Sequence, residues 1–161
     1  MIREVLMKAL AANKEILRQF VESMSEKEIY RRIRNYWTIY EHLEHLVETQ
    51  MVSLQRVELF IREERPVIVP FTPDGNPAAK SGKKTVEELL REFEGYRNRQ
   101  IASITEADAR VWEKSGSHDQ YAKYGFEIFL RHTLLHDSFH MARMEQLWIM
   151  KEEYLRDLDS N

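Results

Sequence analysis

The sequence predicts an all-α protein, a four-helix bundle with a long connection between helices two and three. Three observations point to it. Apolar residues recur at three-and-four spacing through long segments on both sides of the chain's middle. Ser/Thr-x-x-Glu patterns, the mark of a capping box, stand at the start of several of these segments. All four prolines fall between positions 66 and 77, which leaves the rest free of helix breakers. With 161 residues, 43% hydrophobic and 32% charged, the chain reads as a single domain over 1–161 that can bury one core.

Leu6, Leu10, Leu17, Val21 and Met24, with Ala9 and Phe20, define an amphipathic helix over residues 2–23. Ser25 and Glu28 then form a capping box for a short helical connector. Thr38 and Glu41, directly after Tyr36 and Trp37, start the second long helix. Its stripe is Tyr40, Leu43, Val47, Leu54 and Ile61, and it runs to Glu64, because Pro66 disfavours helix at Arg65. "RPVIVPFTPDGNPAAKSGKK" is a connection of about 20 residues, a length that usually marks a functional or mobile segment. Thr85 and Glu88 open a third helix carrying Val86, Leu89, Leu90, Phe93, Ile101 and Ile104, which ends near Thr105. A polar link with Gly116 and Gly125 leads to a last helix over residues 124–156. That helix is apolar on most of its circumference and is therefore expected to be buried on several sides. No strand is evident, and the order of the helices around the bundle is left open.

The composition excludes several classes. Without cysteine there is neither a disulfide framework nor a thiolate metal site, so any metal must be held by nitrogen and oxygen. A net charge of −3 disfavours binding to a nucleic-acid backbone, and "RRIR" at 31–34 is too short to reverse that. No apolar run approaches the roughly 18–20 residues of a membrane span, and no signal-peptide pattern opens the chain. The expectation is a cytoplasmic protein with a small-molecule substrate, no membrane and no nucleic acid.

Chemistry concentrates in "LLHDSFHMARM", residues 134–144. His136 and His140 lie within about 40° of each other on the helix, in line with the apolar Phe129 and Leu147. An unsatisfied buried imidazole costs about 1–3 kcal/mol, and two adjacent ones are hard to satisfy with side chains alone. One metal ion resolves this by taking a nitrogen from each ring. His132, a further four residues back, reads as a partly exposed histidine at the bundle edge, and His118 as ordinary surface. A third ligand should come from a facing helix, where His42 and His45 are the candidates. Periodicity alone favours His42, nearer the apolar stripe, over His45, almost opposite it, or leaves both facing solvent. Three neutral imidazoles leave an open coordination position. Zinc is the first choice of metal, and nickel, iron or manganese also accept imidazole. Arg143, one turn beyond His140, is a weaker candidate for holding an anionic group. Glu41 reads first as a cap, and only second as a group orienting His45. Asp137 either supports a histidine or faces solvent, while Trp37, Trp112 and the methionines at 141, 144 and 150 read as packing.

"YWTIYEHLEHLVETQ" and "HDSFHMARM" together resemble the two signatures of the DinB/YfiT-like superfamily. The intervening "PFTPDGNP" and "TVEELLREFEGYRNRQIASI" resemble its proline-rich link and third helix. The resemblance spans essentially the whole chain. It implies a four-helix bundle with a metal site of His45, His136 and His140, which replaces His42 by His45 as the third ligand. It also implies a homodimer, and, among relatives with assigned reactions, use of a low-molecular-weight thiol such as bacillithiol, mycothiol or glutathione. The function expected on this basis is a metal-dependent, thiol-dependent S-transferase. The alternatives are a metal-dependent hydrolase and a non-catalytic helical dimer with a structural metal.

Overall fold

The computed structural model describes residues 2–71 and 83–155. Its helices are α1 (Ile2–Glu22), the short α2 (Glu26–Ile29), α3 (Ile39–Arg62), α4 (Val86–Glu106) and α5 (Phe126–Ile149). All three expected capping boxes form. Ser25, Thr38 and Thr85 accept from the N–H of Glu28, Glu41 and Glu88, and each carboxylate returns to its cap N–H at 2.7 Å. Each box satisfies backbone donors that a helix start would otherwise leave unpaired. α3 stops at Arg62, slightly before the expected Glu64. Its last carbonyls are held by Lys114, whose Nζ donates to Phe60, Ile61 and Glu63 at 2.9, 3.1 and 2.9 Å. That cation also sits at the negative end of the helix dipole. Part of the long connection, residues 72–82, lies outside the described residues.

α1 and α3 each pack on both α4 and α5, so the order around the bundle is α1, α4, α3, α5. α3 and α5, which carry the histidines, are therefore neighbours.

The structure adds a sheet that the sequence reading lacks. Val67–Ile68 (β1) lies parallel to Ser115–His118 (β2), which forms an antiparallel hairpin with Tyr121–Gly125 (β3). These strands are two to five residues long and mostly polar or glycine, so they carry no apolar alternation to detect. Gly116 permits the pairing: a Cβ there would stand 2.8 Å from the Pro66 carbonyl oxygen, and the neighbouring Ser117 N–H donates to that same oxygen at 2.9 Å. A 3₁₀ turn, Ala109–Glu113, precedes the hairpin. α5 ends at Ile149 rather than near 156. Beyond Ile149 the charged run Lys151–Glu153 interrupts the apolar pattern, and a second 3₁₀ turn, Glu152–Tyr154, brings Leu155 back to be buried in the core.

The core is two apolar clusters with a polar layer between them. One includes Leu17, Tyr40, Leu43, Phe93 and Leu147, and the other Leu10, Phe60, Phe126 and Phe129. In the layer Arg97 is fully buried and its Nη2 lies 2.6 Å from Asp137, itself 1% exposed. The guanidinium also donates to Gln100, to Gln50 and to the Leu10 carbonyl. Gln50 in turn donates to Asp137 at 2.8 Å, so one side chain on α4 ties together α1, α3 and α5. Removing one member of a buried ion pair leaves the other charge uncompensated. Arg97→Met is expected to lower the unfolding free energy, measured by urea titration, by about 3–5 kcal/mol. The double change Arg97→Met with Asp137→Leu should recover much of that loss. A single variant as stable as the parent would show that the layer does not hold the bundle.

Candidate metal centre

The Thr38 cap fixes the first turn of α3, and the next turn presents His42 and His45 toward α5. Glu41 is buried and doubly committed. Its carboxylate accepts from the Thr38 N–H, and from Arg32 at 2.6 Å. Burial alone would raise its pKa, but the Arg32 and Thr38 hydrogen bonds hold it below the ordinary carboxylate value. Glu41 thus serves the helix start and does not orient His45.

His45, His136 and His140 come together. Each offers a ligand nitrogen, and these three atoms lie within 4.8 Å of one another. The Nε2 atoms of His45 and His136 face each other at 3.3 Å. Two nitrogens bound tetrahedrally to one zinc at about 2.0–2.1 Å would lie roughly 3.3–3.4 Å apart. His42 is buried, so it does not face solvent, but it stands behind the cluster. Its Nδ1 is 2.9 Å from Nδ1 of His140. A neutral imidazole has one N–H and one lone pair, so a His140 that donates through Nδ1 keeps its Nε2 lone pair for the cluster. Trp37 lies against His42 and His45 and stacks on His140 with an interplanar angle of 15°.

Burial first, and then the charge that a neighbouring ring or Arg143 would set against a second proton, keeps His42, His45 and His140 neutral. Burial lowers the His42 pKa to about 3, helped by Arg143 and His45. It lowers His45 to about 4, with His136 contributing, and His140 to about 2, with His136 and His45 contributing. Neutral imidazole is the form that binds a metal. Arg143 is buried beside this group, bonded to Gln146 at 2.7 Å with its guanidinium 5.7 Å from the Tyr36 ring. Asp137 does not face solvent, and its Oδ1 lies 4.0 Å from His136 Nδ1, beyond hydrogen-bonding distance. Trp112 packs on Phe126, in the other core cluster.

A cavity of about 270 Å³ opens beside the centre, with His45 and His136 in its wall. α3 adds Ser53 and Arg56, α5 adds His132 and Thr133, and the hairpin closes one side with His118 and Tyr121. His118 is thus a cavity residue rather than ordinary surface, and the partly exposed His132 also lines the cavity; neither joins the three-histidine cluster. The unrecognised sheet is what brings His118 there.

A helical bundle with three convergent imidazoles is the class these observations define. The model of the DinB superfamily matches residues 9–144, and the chain belongs to that superfamily. Two solved structures share its fold. YfiT from Bacillus subtilis, described as a probable metal-dependent hydrolase with an unusual four-helix bundle topology, is 22% identical. The match covers 89% of this chain and 84% of that one, with a TM-score of 0.73. A DinB-like protein from Bacillus subtilis, YjoA, is 10% identical over 88% of each chain, with a TM-score of 0.59. No curated protein matches the chain.

The depressed pKa values set the sign of an acid effect. Unfolded histidines protonate near 6.5, whereas His42, His45 and His140 do so only far below that when folded. Below that value the unfolded state binds more protons, so acid favours unfolding. With a chelator present, stability should be full above pH 6.5 and fall as pH drops toward about 4. Urea titrations across that range are the check, and His42→Phe should flatten the fall. A profile that rises on acidification would contradict the neutral, buried state of these rings.

Proposed function

We propose that the protein is a metal-dependent enzyme in which His45, His136 and His140 hold one divalent cation. Zinc is the first choice, with nickel, iron or manganese as alternatives. The observation that carries this reading is the convergence of three imidazoles, from α3 and α5, on one point beside a cavity. A cation there would acidify a bound water or thiol and so supply a nucleophile at neutral pH. The chain's own part is to keep His45 and His140 neutral, to fix His140 through His42, and to shape the adjoining space. Arg143 contributes positive charge beside His42 and His140.

A purely structural metal would normally have a fourth protein ligand. Of the residues able to supply one, Glu41 is committed to Thr38 and Arg32, His42 lies behind His140, and His132 is outside the cluster. That favours an open centre. Between reaction classes, hydrolysis of a small substrate is supported by the description of YfiT and by the modest size of the cavity. S-transfer from a low-molecular-weight thiol is the second reading. The superfamily resemblance supports it, and a chain without cysteine would have to borrow that thiol.

Elemental analysis of the purified parent should give about one metal per chain, lost in His45→Ala and His136→Ala. Turnover of a small ester or amide by the loaded parent would establish hydrolysis. A metal-dependent thermal shift with a small thiol, without such turnover, would establish transfer. Metal retained in both variants would sink the proposed ligand set.

A homodimer is proposed alongside, on the same resemblance and on the exposed Leu135 and Phe139, one turn apart on the outer face of α5. Light scattering should show a mass of two chains for the parent and one for Leu135→Glu with Phe139→Glu. A monomeric parent would rule the dimer out.

A further inference from the structure

The cavity beside the histidines has a charge bias that the chain as a whole lacks. The sequence carries 27 Asp and Glu against 24 Lys and Arg. Yet among the described residues no carboxylate lines this cavity, while Arg56 and four histidines do. Arg56 has no carboxylate partner among the described residues. One of its N–H groups is anchored by the Val69 carbonyl at 2.7 Å, which leaves most of its five donors for another group. His118 is set as a donor too. Its Nδ1 accepts from the Gln120 N–H at 3.1 Å, so the proton of the neutral ring sits on Nε2.

The wall's hydroxyls are arranged differently. Thr49 donates to the Leu46 carbonyl and Thr133 to the Phe129 carbonyl, while Ser53 pairs with Thr133 at 3.2 Å. Their protons are committed inside the protein, so these hydroxyls do not compete with Arg56 and His118 as donors to an anion. Against His118 lie Tyr121 and Tyr124, stacked with ring centroids 5.7 Å apart. The volume of about 270 Å³ is just below the roughly 300–1,000 Å³ usual for small-molecule sites, which fits a metabolite of modest size.

We propose that this cavity takes a small organic carboxylate, its anionic end held by Arg56 and His118 and its flat or apolar body along Tyr121 and Tyr124. The remaining end then faces His45 and His136. One fixed cation with a neutral donor matches a single negative charge better than a dianion, which would keep an uncompensated charge. The assignment of the reacting end rests on the metal-centre reading, whereas the anion-binding half does not.

Calorimetric titration of chelator-treated full-length protein with benzoate, its neutral isostere benzamide, and inorganic phosphate tests this. Benzoate should bind roughly tenfold more tightly than benzamide, as expected for a charge-assisted hydrogen bond in a partly exposed site. Arg56→Gln should abolish the preference, and Arg56→Lys should keep it at reduced affinity, which preserves the test if the first variant does not fold. Equal binding of benzoate and benzamide, benzoate binding unchanged in Arg56→Gln, or preference for phosphate would each overturn the proposal. So would benzoate binding that requires added zinc and ignores Arg56, because the carboxylate would then be on the metal. Zinc content after reloading separates the two readings. Stoichiometric zinc without a carboxylate preference defeats this inference alone, and a preference without zinc retention defeats the metal centre alone.

Discussion

The ion pair between Arg97 and Asp137 is the constraint on which the bundle depends. Both side chains are sealed from water, at 0% and 1% exposure, so neither charge can be solvated if the other moves away. Because the guanidinium also holds Gln50, Gln100 and the Leu10 carbonyl, the pair fixes the register of all four long helices at one level. Asp137 is next in sequence to His136, and Gln50 stands at the floor of the adjoining cavity. The polar layer that sets the helices against each other therefore also sets the height at which the imidazoles meet.

Local codes were the legible part of the sequence. The starts of α2, α3 and α4 were readable because a capping box is complete within four residues and needs no knowledge of the rest of the fold. The hairpin was not readable, since it depends on Gly116 meeting Pro66, a contact between distant segments. The end of α5 was misjudged for a related reason: Leu155 is buried by a turn of the chain, not by continued helix.

The histidines divide along the same line. Helical periodicity places His42 nearer the apolar stripe, and that ring is buried, but burial does not say which partner a ring meets. The half-buried His45 joins His136 and His140 because α5 lies on its flank, a relation that a single helix wheel does not contain. Only the ordered motifs of the superfamily pointed to it. Arg97 was missed altogether. It falls one turn beyond Phe93 on the buried face of α4, where a charged residue makes sense only once three other helices supply its partners.

His45 and His136 are 91 residues apart in the chain, and His42 and His140 are 98 apart. Neither α3 nor α5 alone supplies all three imidazoles of the cluster. The cluster therefore comes into existence only after the last long helix has been synthesised and docked. Closing so long a loop is slow relative to helix formation, so a cation bound there would find no preformed cage in the nascent chain and would be taken up by an almost finished fold. Its capture would then act as a late lock on the native state rather than as a template for reaching it.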